Sequence, residues 1–501
     1  MALNATNSAD SSDLPLAKDL SGLFVPSMRK HAKSPFKAVM GNLTMSMINM
    51  AGGVPHPSMF PLMQVQARVR APSGYSDNQD GVLVLEKSQH SNSAESLDEL
   101  LQYNDGRGMG SYCRFLRKHT QMAHCPLYAD WDVIASCGST DAIGKVFSLF
   151  CQPGDSIIVE QWSFPGALSN LATSGVKPVA VAMDGEGMLP EELDSVCTTW
   201  TGDRPLRAMY IVPTGQNPTG ATMSLARRNA IYNVAQKHNL AIIEDDPYYF
   251  LQLGPLATEQ GSMVNQPQSD RQELVPSLLS LDVDGRVVRL DSFSKILAPN
   301  LRCGWITAPT YLLDRLQILN ESSILQPSGL TQGVLAKMLS ETWGLEGWNA
   351  HLRDLRAAYT QRRNLFVQLA RKHLCGLVEF AVPTAGMFLW MKVDLGAATM
   401  DPTALPRLMD SMKRCGVMMA PSMPFSSVKP SDTAEPTHFL RAAYALVNTD
   451  MFEPALVRLA QAIVAIRGDS AASASAGVIG SSNIESAELG AQTPVAANGS
   501  S

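Results

Sequence analysis

The sequence predicts an α/β protein, in which a large and mainly parallel sheet carries helices on both faces and a smaller α+β domain lies beside it. Three observations predict this class. Short apolar runs alternate with amphipathic stretches over residues 112–309, as in strands joined by crossover helices. A long stretch of helical period follows at residues 348–373 and links that domain to later strands. The chain has 501 residues, 45% of them hydrophobic, and can bury more than one core.

The first strand, turn and helix are predicted at residues 133–147. An apolar run leads through Gly138, Ser139 and Thr140 into an amphipathic stretch. Free amides at the start of a helix, together with the positive end of the helix dipole, bind anions. The backbone N–H groups of Ser139 and Thr140 are therefore candidates for holding a phosphate, although the same three residues also make an ordinary helix start.

The next two predicted strands end in aromatic and turn-forming residues. Trp162 and Phe164 follow the apolar run at residues 156–159, and a turn rich in proline and glycine follows the run at 208–212. An aromatic ring after a strand either packs in the core or stacks on a flat ligand. The Asn-Pro-Thr-Gly sequence that begins at Asn217 is, taken alone, common turn chemistry.

Two acids end the apolar strand predicted from residue 241. Asp245 and Asp246 are followed by a proline and by the pair Tyr248 and Tyr249. A single aspartate after a strand is often a helix N-cap. A buried aspartate can also stabilise a proton on a ligand's ring nitrogen, because the opposite charge raises the basicity of that nitrogen.

The most informative segment is Asp-Ser-Phe-Ser-Lys-Ile-Leu-Ala-Pro-Asn-Leu-Arg, between two predicted strands. It places Lys295 beside Ser292 and Ser294 and seven residues before Arg302. A lysine amine can bind the aldehyde of pyridoxal 5′-phosphate (PLP) covalently, and hydroxyls with a guanidinium can surround its phosphate. The segment therefore predicts a PLP site on a turn at the edge of the sheet.

These blocks, in this order, resemble those of fold type I (class I) PLP-dependent aminotransferases. The similarity covers residues 27–465 and is strongest to the fungal aromatic aminotransferases related to the aminoadipate/kynurenine aminotransferases. The resemblance implies the PLP-dependent transferase fold type I, with a large α/β/α cofactor domain and a smaller α+β domain. It also implies PLP as cofactor and a homodimer with shared active sites.

The resemblance assigns roles around the cofactor ring. The family's Asp-x-x-Tyr spacing gives Asp245 the ring nitrogen and Tyr248 a hydrogen bond to the phenolic oxygen, which Asn217 would also bind. Asp246 with Tyr249 is the competing pair. Phe164 matches the position that stacks on the ring, and Trp162 stays open as the alternative. The residues implied at the phosphate are Ser139, Thr140, Ser292, Ser294 and Arg302.

Substrate binding is expected to use an arginine. Arg441 lies in an otherwise apolar strand, where an unpaired guanidinium is costly to bury, and it could grip an α-carboxylate with two hydrogen bonds. It matches the Phe-Leu-Arg block of the family. The resemblance adds Asn217 and the loop at Gly53 to the substrate pocket, and it gives Tyr103 a contact with the phosphate of the neighbouring subunit.

The composition is that of an ordinary cytoplasmic enzyme. The net charge of −6 and the pI near 5.9 argue against a nucleic-acid-binding surface. The eight cysteines have no Cys-x-x-Cys spacing, so we expect neither a metal site nor disulfides. The polar N-terminal sequence has no basic region followed by an apolar run, so neither secretion nor membrane anchoring is expected.

The predicted function is an aromatic amino acid:2-oxoglutarate aminotransferase that works by ping-pong transamination between PLP and pyridoxamine phosphate. Lys295, Asp245 and Tyr248 are the predicted catalytic residues, and Lys295 is expected to move the proton between the substrate and the cofactor. The alternative donors are 2-aminoadipate and kynurenine. A PLP-dependent lyase or decarboxylase, and a non-catalytic PLP-binding regulator, are more distant alternatives.

Five segments are expected along the chain. They are a flexible arm (1–26), a segment that contributes to the small domain and to dimer contacts (27–100), the large PLP-binding domain (101–345), a linking helix with the C-terminal small domain (346–467) and a disordered tail (468–501). Two polar, turn-rich insertions, 71–98 and 254–273, are expected to be surface loops.

Overall fold

A computed structural model describes residues 14–30, 50, 53–74, 80–87, 96–254, 256, 274–401, 403–428 and 438–468. The predicted disordered tail, apart from residue 468, and nearly all of the insertion at 254–273 lie outside these ranges. The domain boundaries given above stay predictions.

The large domain is built on a seven-stranded sheet in the order β3-β11-β10-β9-β8-β4-β5. The five strands from β10 to β5 run parallel to one another, and β11 pairs antiparallel with both β10 and β3. The strands are β3 (Trp131–Ser136), β4 (Ser156–Glu160), β5 (Lys177–Val181), β8 (Ala208–Ile211), β9 (Ala241–Asp245), β10 (Val287–Ser292) and β11 (Gly304–Pro309). The mainly parallel α/β fold is confirmed.

Helices connect these strands because the intervening segments repeat apolar residues at helical spacing. They begin and end as expected, with proline in the first turn of two of them and Ser224 as a side-chain N-cap. The helices are α3 (Gly110–His124), α4 (Ser139–Phe150), α5 (Pro165–Thr173), α6 (Pro190–Thr198), α7 (Leu225–Lys237), α8 (Thr310–Ser323) and α9 (Gly329–Lys337). The two-residue strands β6 (Met183–Asp184) and β7 (Gly187–Met188) form a hairpin before α6.

The small domain follows a 30-residue helix, α10 (Gly344–His373), which begins four residues before the predicted stretch. Its sheet has the order β12-β13-β15-β14 and is antiparallel. The elements are β12 (Val378–Glu379), β13 (Phe388–Val393), β14 (Ala420–Pro421), β15 (Phe439–Ala443), α11 (Ala404–Arg414) and α12 (Phe452–Arg467). The predicted α+β domain is therefore present, and Arg441 lies at the centre of its third strand.

Backbone contacts hold the two domains together beside the carboxyl ends of the large sheet. Leu253 N–H donates to Thr384 O at 2.8 Å, and Gly386 N–H donates to Leu251 O at 3.0 Å. Gly215 and Gly386 meet here, and a Cβ on Gly215 would lie 2.7 Å from the Gly386 backbone. Both glycines have positive φ, so this close approach requires residues without a side chain.

Part of the first insertion is not a loop. Residues 81–86 form β2 (Gly81–Glu86), which pairs antiparallel with β1 (Gln64–Val69). The prediction of a surface loop at 71–98 is wrong for these residues, because Leu83 and Leu85 alternate with more exposed residues and are buried. The insertion ends at a short helix, α2 (Leu97–Leu101), after one still shorter helix near the start of the chain, α1 (Pro26–Arg29).

The described part of the expected N-terminal arm is bound to the large domain. Ala17 N–H donates to the Asp130 carboxylate at 2.7 Å, and Phe24 is 2% exposed. The prediction of a flexible arm is therefore wrong from residue 14 onward, because apolar residues there are buried. Across the described residues, no helix combines the length and the apolar composition needed to cross a membrane.

Candidate active site

The anion site predicted at the start of α4 is formed by two turns. Gly138, with φ of +80°, is the N-cap of α4, and Arg302 follows a 3-10 turn in the left-handed region at φ of +49°. The Arg302 guanidinium donates to Cys137 O at 2.9 Å and lies 3.5 Å from Ser294 Oγ. The helix N-terminus and the guanidinium therefore face the same space.

Four hydroxyl residues complete this cradle or lie at its rim. Ser292 Oγ donates to Ser294 Oγ at 2.8 Å and accepts from Ser294 N–H at 3.1 Å. Ser139 Oγ is buried and has no hydrogen-bond partner in the described structure. Thr140 is exposed, so its side chain contributes less than its backbone. A phosphate here would give Ser139 the partner that a buried hydroxyl requires.

Asp245 ends β9 with one carboxylate oxygen free. Its side chain is buried, Oδ2 accepts the Tyr210 hydroxyl at 2.7 Å, and Oδ1 has no hydrogen-bond partner among the described residues. Burial raises the pKa of Asp245 to about 7, and the Tyr210 hydrogen bond opposes that increase. The free oxygen can accept a hydrogen bond from a bound N–H group.

Asp246, the competing acid, belongs to a different cluster. Its Oδ2 is 3.1 Å from Arg289, which also contacts Asp291 at 2.9 Å and Glu244 at 3.1 Å. The Arg289 guanidinium lies over the Tyr249 ring at 4.7 Å. Alternate residues of a strand point to opposite faces. The alternative pair, Asp246 and Tyr249, thus lies with Arg289 on one face of the sheet and Asp245 on the other, although Asp246 Oδ1 also lacks a hydrogen-bond partner among the described residues.

Lys295 lies on the turn after β10, half-buried. Burial lowers the pKa of its ammonium, and the positive charges of Arg441 and Arg302 lower it further, while Asp245 raises it. These influences show that Lys295 lies close to three other predicted site residues. A lowered pKa increases the fraction of neutral amine, the form that acts as a nucleophile or base.

Arg441 reaches the site from the small domain. Its Nη1 donates to Asn217 Oδ1 at 2.6 Å, and its guanidinium carbon lies 4.4 Å from the Phe388 ring centroid and 4.8 Å from that of Phe425. Its Nε is buried without a hydrogen-bond acceptor in the described part of the chain. The two rings and Asn217 fix the guanidinium in place, and Nε remains available to an anion.

Tyr248 and Asn217 lie where the parallel strands end. Tyr248 is buried, packs edge-on to Phe388 at 5.7 Å, and has a pKa raised by burial and by Asp245. Asn217 is 6% exposed and precedes Pro218 through a cis peptide bond. The structure therefore brings Lys295, Asp245, Tyr248, Asn217 and Arg441 together.

The two aromatic candidates for stacking lie in different surroundings. Phe164 is the N-cap of α5, half-buried against the main core. Trp162 is engaged elsewhere, since it forms a β-bridge with Ser426 and packs edge-on to Trp390 and Phe439 at 5.5 and 5.6 Å. This packing favours Phe164 for contact with a ligand in the site.

Two predicted site residues are exposed in the single chain. Tyr103 is 61% exposed and follows α2. Gly53 lies in an exposed loop, with open space where a Cβ would be. Neither residue has a described contact with the site residues above, so their roles stay predictions.

The sequence did not single out several residues that shape the site. Tyr210, Phe388 and Phe425 contact Asp245 or Arg441, and Glu160 supports the turn that carries Asn217. Glu160 Oε2 accepts from Val212 N–H at 3.1 Å and from the Gln216 amide at 3.2 Å. Burial raises the pKa of Glu160 to about 8. Tyr210 and Glu160 lie in or at the end of strands that lead into the recognised blocks, whereas no signal in the sequence distinguishes Phe388 and Phe425.

The site fits PLP at both of the cofactor's ends. The helix N-terminus, Ser139 and Arg302 suit a phosphate, and the free Asp245 Oδ1 suits a ring N–H. Arg302 and Asp245 both influence the pKa of Lys295, so its amine is within electrostatic range of both groups. The donor set is therefore the one that an aldehyde-bearing pyridine phosphate requires.

Comparison with known proteins agrees with this geometry. A family model described as aminotransferase class I and II matches residues 75–459. An aromatic amino acid aminotransferase of Schizosaccharomyces pombe is 36% identical over 392 residues, which cover 75% of this chain and 82% of the relative. An L-tyrosine:2-oxoglutarate aminotransferase of Tapinella panuoides is 37% identical over 408 residues, 78% of this chain and 77% of the relative. The crystal structure of the aminotransferase Aro8 from Candida albicans superposes with a TM-score of 0.83 at 32% identity, covering 91% of this chain and all of that one.

Gly138→Ala is expected to weaken PLP binding through the phosphate. A Cβ at Gly138 would lie 2.6 Å from Arg302 Nη2, and its φ is +80°. We expect the dissociation constant of PLP to rise about tenfold, as for roughly 1–2 kcal/mol of strain at a left-handed residue, while that of pyridoxal, which lacks the phosphate, changes less.

Gly376→Ala is the matched control, since Gly376 has φ of +71° with nothing within 4 Å of a Cβ. Fluorescence titration of both apoproteins with PLP and pyridoxal measures the difference. Equal effects of the two substitutions on PLP binding would contradict a phosphate cradle at Gly138.

Proposed function

The chain belongs to the class I and II aminotransferases, a PLP-dependent family, and we propose that it transfers the amino group of aromatic amino acids to 2-oxoglutarate. The observation that carries this proposal is the position of Arg441, whose guanidinium carbon lies 4.4 and 4.8 Å from the Phe388 and Phe425 ring centroids and whose charge lowers the pKa of Lys295. The two fungal relatives named for aromatic amino acids and for L-tyrosine support the choice of donor.

PLP supplies an aldehyde to which amines add and a ring that withdraws electrons from the substrate Cα. The residues that we propose to hold it are Phe164 against the ring, Tyr248 and Asn217 at the phenolic oxygen and Asp245 at the ring nitrogen. Those proposed for its phosphate are Ser139, Thr140, Ser292, Ser294, Arg302 and, from the neighbouring subunit, Tyr103. The free oxygens and the cradle described above support these assignments.

Lys295 is the proposed base. Its lowered pKa favours the neutral amine, which with PLP bound would take the proton from the substrate Cα and return it at C4′. Asp245, in its ionised form, would keep the proton on the ring nitrogen. The same two residues act in both half reactions, because the second is the reverse of the first with a different oxo acid.

Arg441 is the proposed clamp for the α-carboxylate shared by amino acids and oxo acids. The guanidinium is held by Asn217 and by two ring faces, so little rotamer freedom is left to lose on binding. The loop at Gly53 is the proposed wall of the substrate pocket, where glycine allows the backbone to approach a ligand.

An amino-donor screen with 2-oxoglutarate as acceptor tests the proposed substrates. We expect tyrosine, phenylalanine and tryptophan to give glutamate and the matching oxo acids, with higher kcat/KM than aliphatic donors. Activity confined to 2-aminoadipate or kynurenine would support the alternative donors and contradict the proposed ones. Release of carbon dioxide or ammonia without glutamate would instead indicate a lyase or decarboxylase, and no turnover with any donor would indicate a non-catalytic PLP-binding protein.

Arg441→Leu should raise KM for both the amino acid and 2-oxoglutarate while leaving the absorbance of bound PLP unchanged. Loss of one partner of a desolvated, charge-assisted pair costs about 2–5 kcal/mol, or at least about thirtyfold in affinity. Arg407→Leu removes an exposed arginine of the same domain, paired with Asp401, and serves as control. An effect on only one of the two substrates would contradict a shared carboxylate clamp.

We further propose a homodimer in which Tyr103 reaches the phosphate site of the partner. Tyr103 is 61% exposed in one chain, and the same N-terminal part exposes Val54, Met59 and Met63. Large apolar side chains exposed together often mark a protein interface. A second copy covering this face would bury them and bring Tyr103 to a neighbouring site.

Mixing variant chains tests the shared site. Tyr103→Phe should weaken PLP binding, and a hybrid of Lys295→Ala and Tyr103→Phe chains should have one intact site if Tyr103 acts across the interface. We expect activity to recover on mixing, once co-purification of differently tagged chains shows that hybrids form. A mixture of Lys295→Ala and Asp245→Asn chains is the control, because each of its sites keeps one defect. Hybrids without recovery would place Tyr103 in its own chain's site.

A cytoplasmic location also stays a prediction. Subcellular fractionation of the producing cells checks it, and recovery of the protein with mitochondria would contradict it.

A further inference from the structure

The hydroxyl of Tyr210 has no role in the proposed proton transfer. It donates a hydrogen bond to Asp245, the carboxylate proposed to bind the ring nitrogen of the cofactor. Tyr210 lies on β8, is fully buried, and donates to Asp245 Oδ2 at 2.7 Å. In the parallel pairing of β8 with β9, Tyr210 lies opposite Ile243. Tyr210 and Asp245 therefore project from the same face of the sheet.

The position of the Tyr210 ring is fixed by its packing. Phe147 of α4 packs edge-on against it, with ring centroids 5.6 Å apart and an angle of 78°. Burial and the neighbouring Asp245 raise the pKa of Tyr210 well above its usual value, so the hydroxyl keeps its proton. A rigid, neutral donor is thus directed at Oδ2, and Oδ1 is left as the free oxygen.

Among the described residues, Asp245 has no ion pair with an arginine or lysine, whereas Asp246 is paired with Arg289 at 3.1 Å. Arg289 contacts three other carboxylates, and it affects Asp245 less than burial, Tyr210, Asp246 and Asp291 do. The titratable or charged groups that influence Asp245 lie on both faces of the sheet. On its own side are Tyr210 from β8, Tyr248 from the turn after β9 and Lys295 from the turn after β10, and on the opposite side are Asp246, Arg289 and Asp291. Of these, Tyr210 alone donates a hydrogen bond to it in the described structure.

We propose that Tyr210 is a positioning residue for Asp245, whose hydroxyl occupies Oδ2, keeps the carboxylate ionised and turns Oδ1 toward the cofactor's ring nitrogen. Without this donor, Asp245 would take up a proton at neutral pH and could no longer stabilise a proton on the ring. This inference rests on the proposed role of Asp245.

Tyr210→Phe removes only the hydroxyl and is the test variant. In the apoprotein, followed by infrared titration of carboxyl groups, the band lost in Asp245→Asn identifies Asp245. We expect its titration to move upward in Tyr210→Phe by about one to two pH units, the usual effect of losing a hydrogen bond to a charged acceptor. In the holoenzyme, we expect kcat at neutral pH to fall about tenfold or more, with recovery at higher pH and little change in KM for the amino donor.

Tyr232→Phe is the matched control, because the Tyr232 hydroxyl also donates to a buried aspartate, Asp282, at 2.9 Å and lies outside the site. It should leave the Asp245 titration and the pH profile unchanged. If Tyr210→Phe does not fold, 3,5-difluorotyrosine at position 210, a stronger donor of similar shape, should move the Asp245 titration downward.

An unshifted Asp245 titration in Tyr210→Phe or with the fluorinated residue would overturn the proposal, and so would a loss of activity without a change in pH profile. If the wild-type enzyme transaminates, either of these variant results would leave the proposed function intact. A wild-type protein that does not transaminate, yet shows the shifted Asp245 titration, would overturn the function and not the role of Tyr210.

Discussion

The buried guanidinium of Arg289 is the interaction on which the site depends. It pairs with Glu244 and Asp246 at the end of β9 and with Asp291 at the end of β10. All four side chains are buried. Burying three carboxylates without such a partner would cost several kcal/mol for each ion. The pairing lets Glu244, Asp246 and Asp291 cluster on one face at the centre of the sheet.

Strand alternation then separates the two aspartates at the end of β9. Asp246 points to the Arg289 face, and Asp245 points to the opposite face with Tyr210, near Lys295. Asp245 is left with burial that favours its neutral form and with one hydroxyl that favours its charged form. Asp245 can therefore form an ion pair with a protonated ring nitrogen, whereas Asp246 is already paired with Arg289.

The sequence was sufficient for the fold class and for the residues that lie in local blocks. Lys295, Ser292, Ser294 and Arg302 lie on one turn, and the strand and turn patterns that carry them depend on near neighbours in the chain. The mainly parallel sheet also follows from local periodicity. The prediction of a surface loop at 71–98 is wrong for residues 81–86, because the burial of β2 depends on its pairing with β1, which the sequence pattern does not identify.

Contacts between distant segments could not be predicted from the sequence. The ring faces on Arg441 come from Phe388 and Phe425, which lie on different elements of the small domain, and the Tyr210 hydrogen bond crosses 35 residues. Trp162 and Phe164 are both aromatic and lie two residues apart, so the sequence does not distinguish them. Only the packing of Trp162 against Trp390 and Phe439 does. Such distinctions arise from tertiary packing, which periodicity and turn-forming residues do not predict.

The central claim is that Lys295 holds PLP covalently in this site. Reduction of the holoenzyme with borohydride, followed by proteolysis and mass spectrometry, measures it directly. We expect a phosphopyridoxyl group on the peptide that contains Lys295, and none on that peptide when the substrate amine has first displaced the lysine. Modification of another lysine, such as the buried Lys145 of α4, with Lys295 unmodified would contradict it.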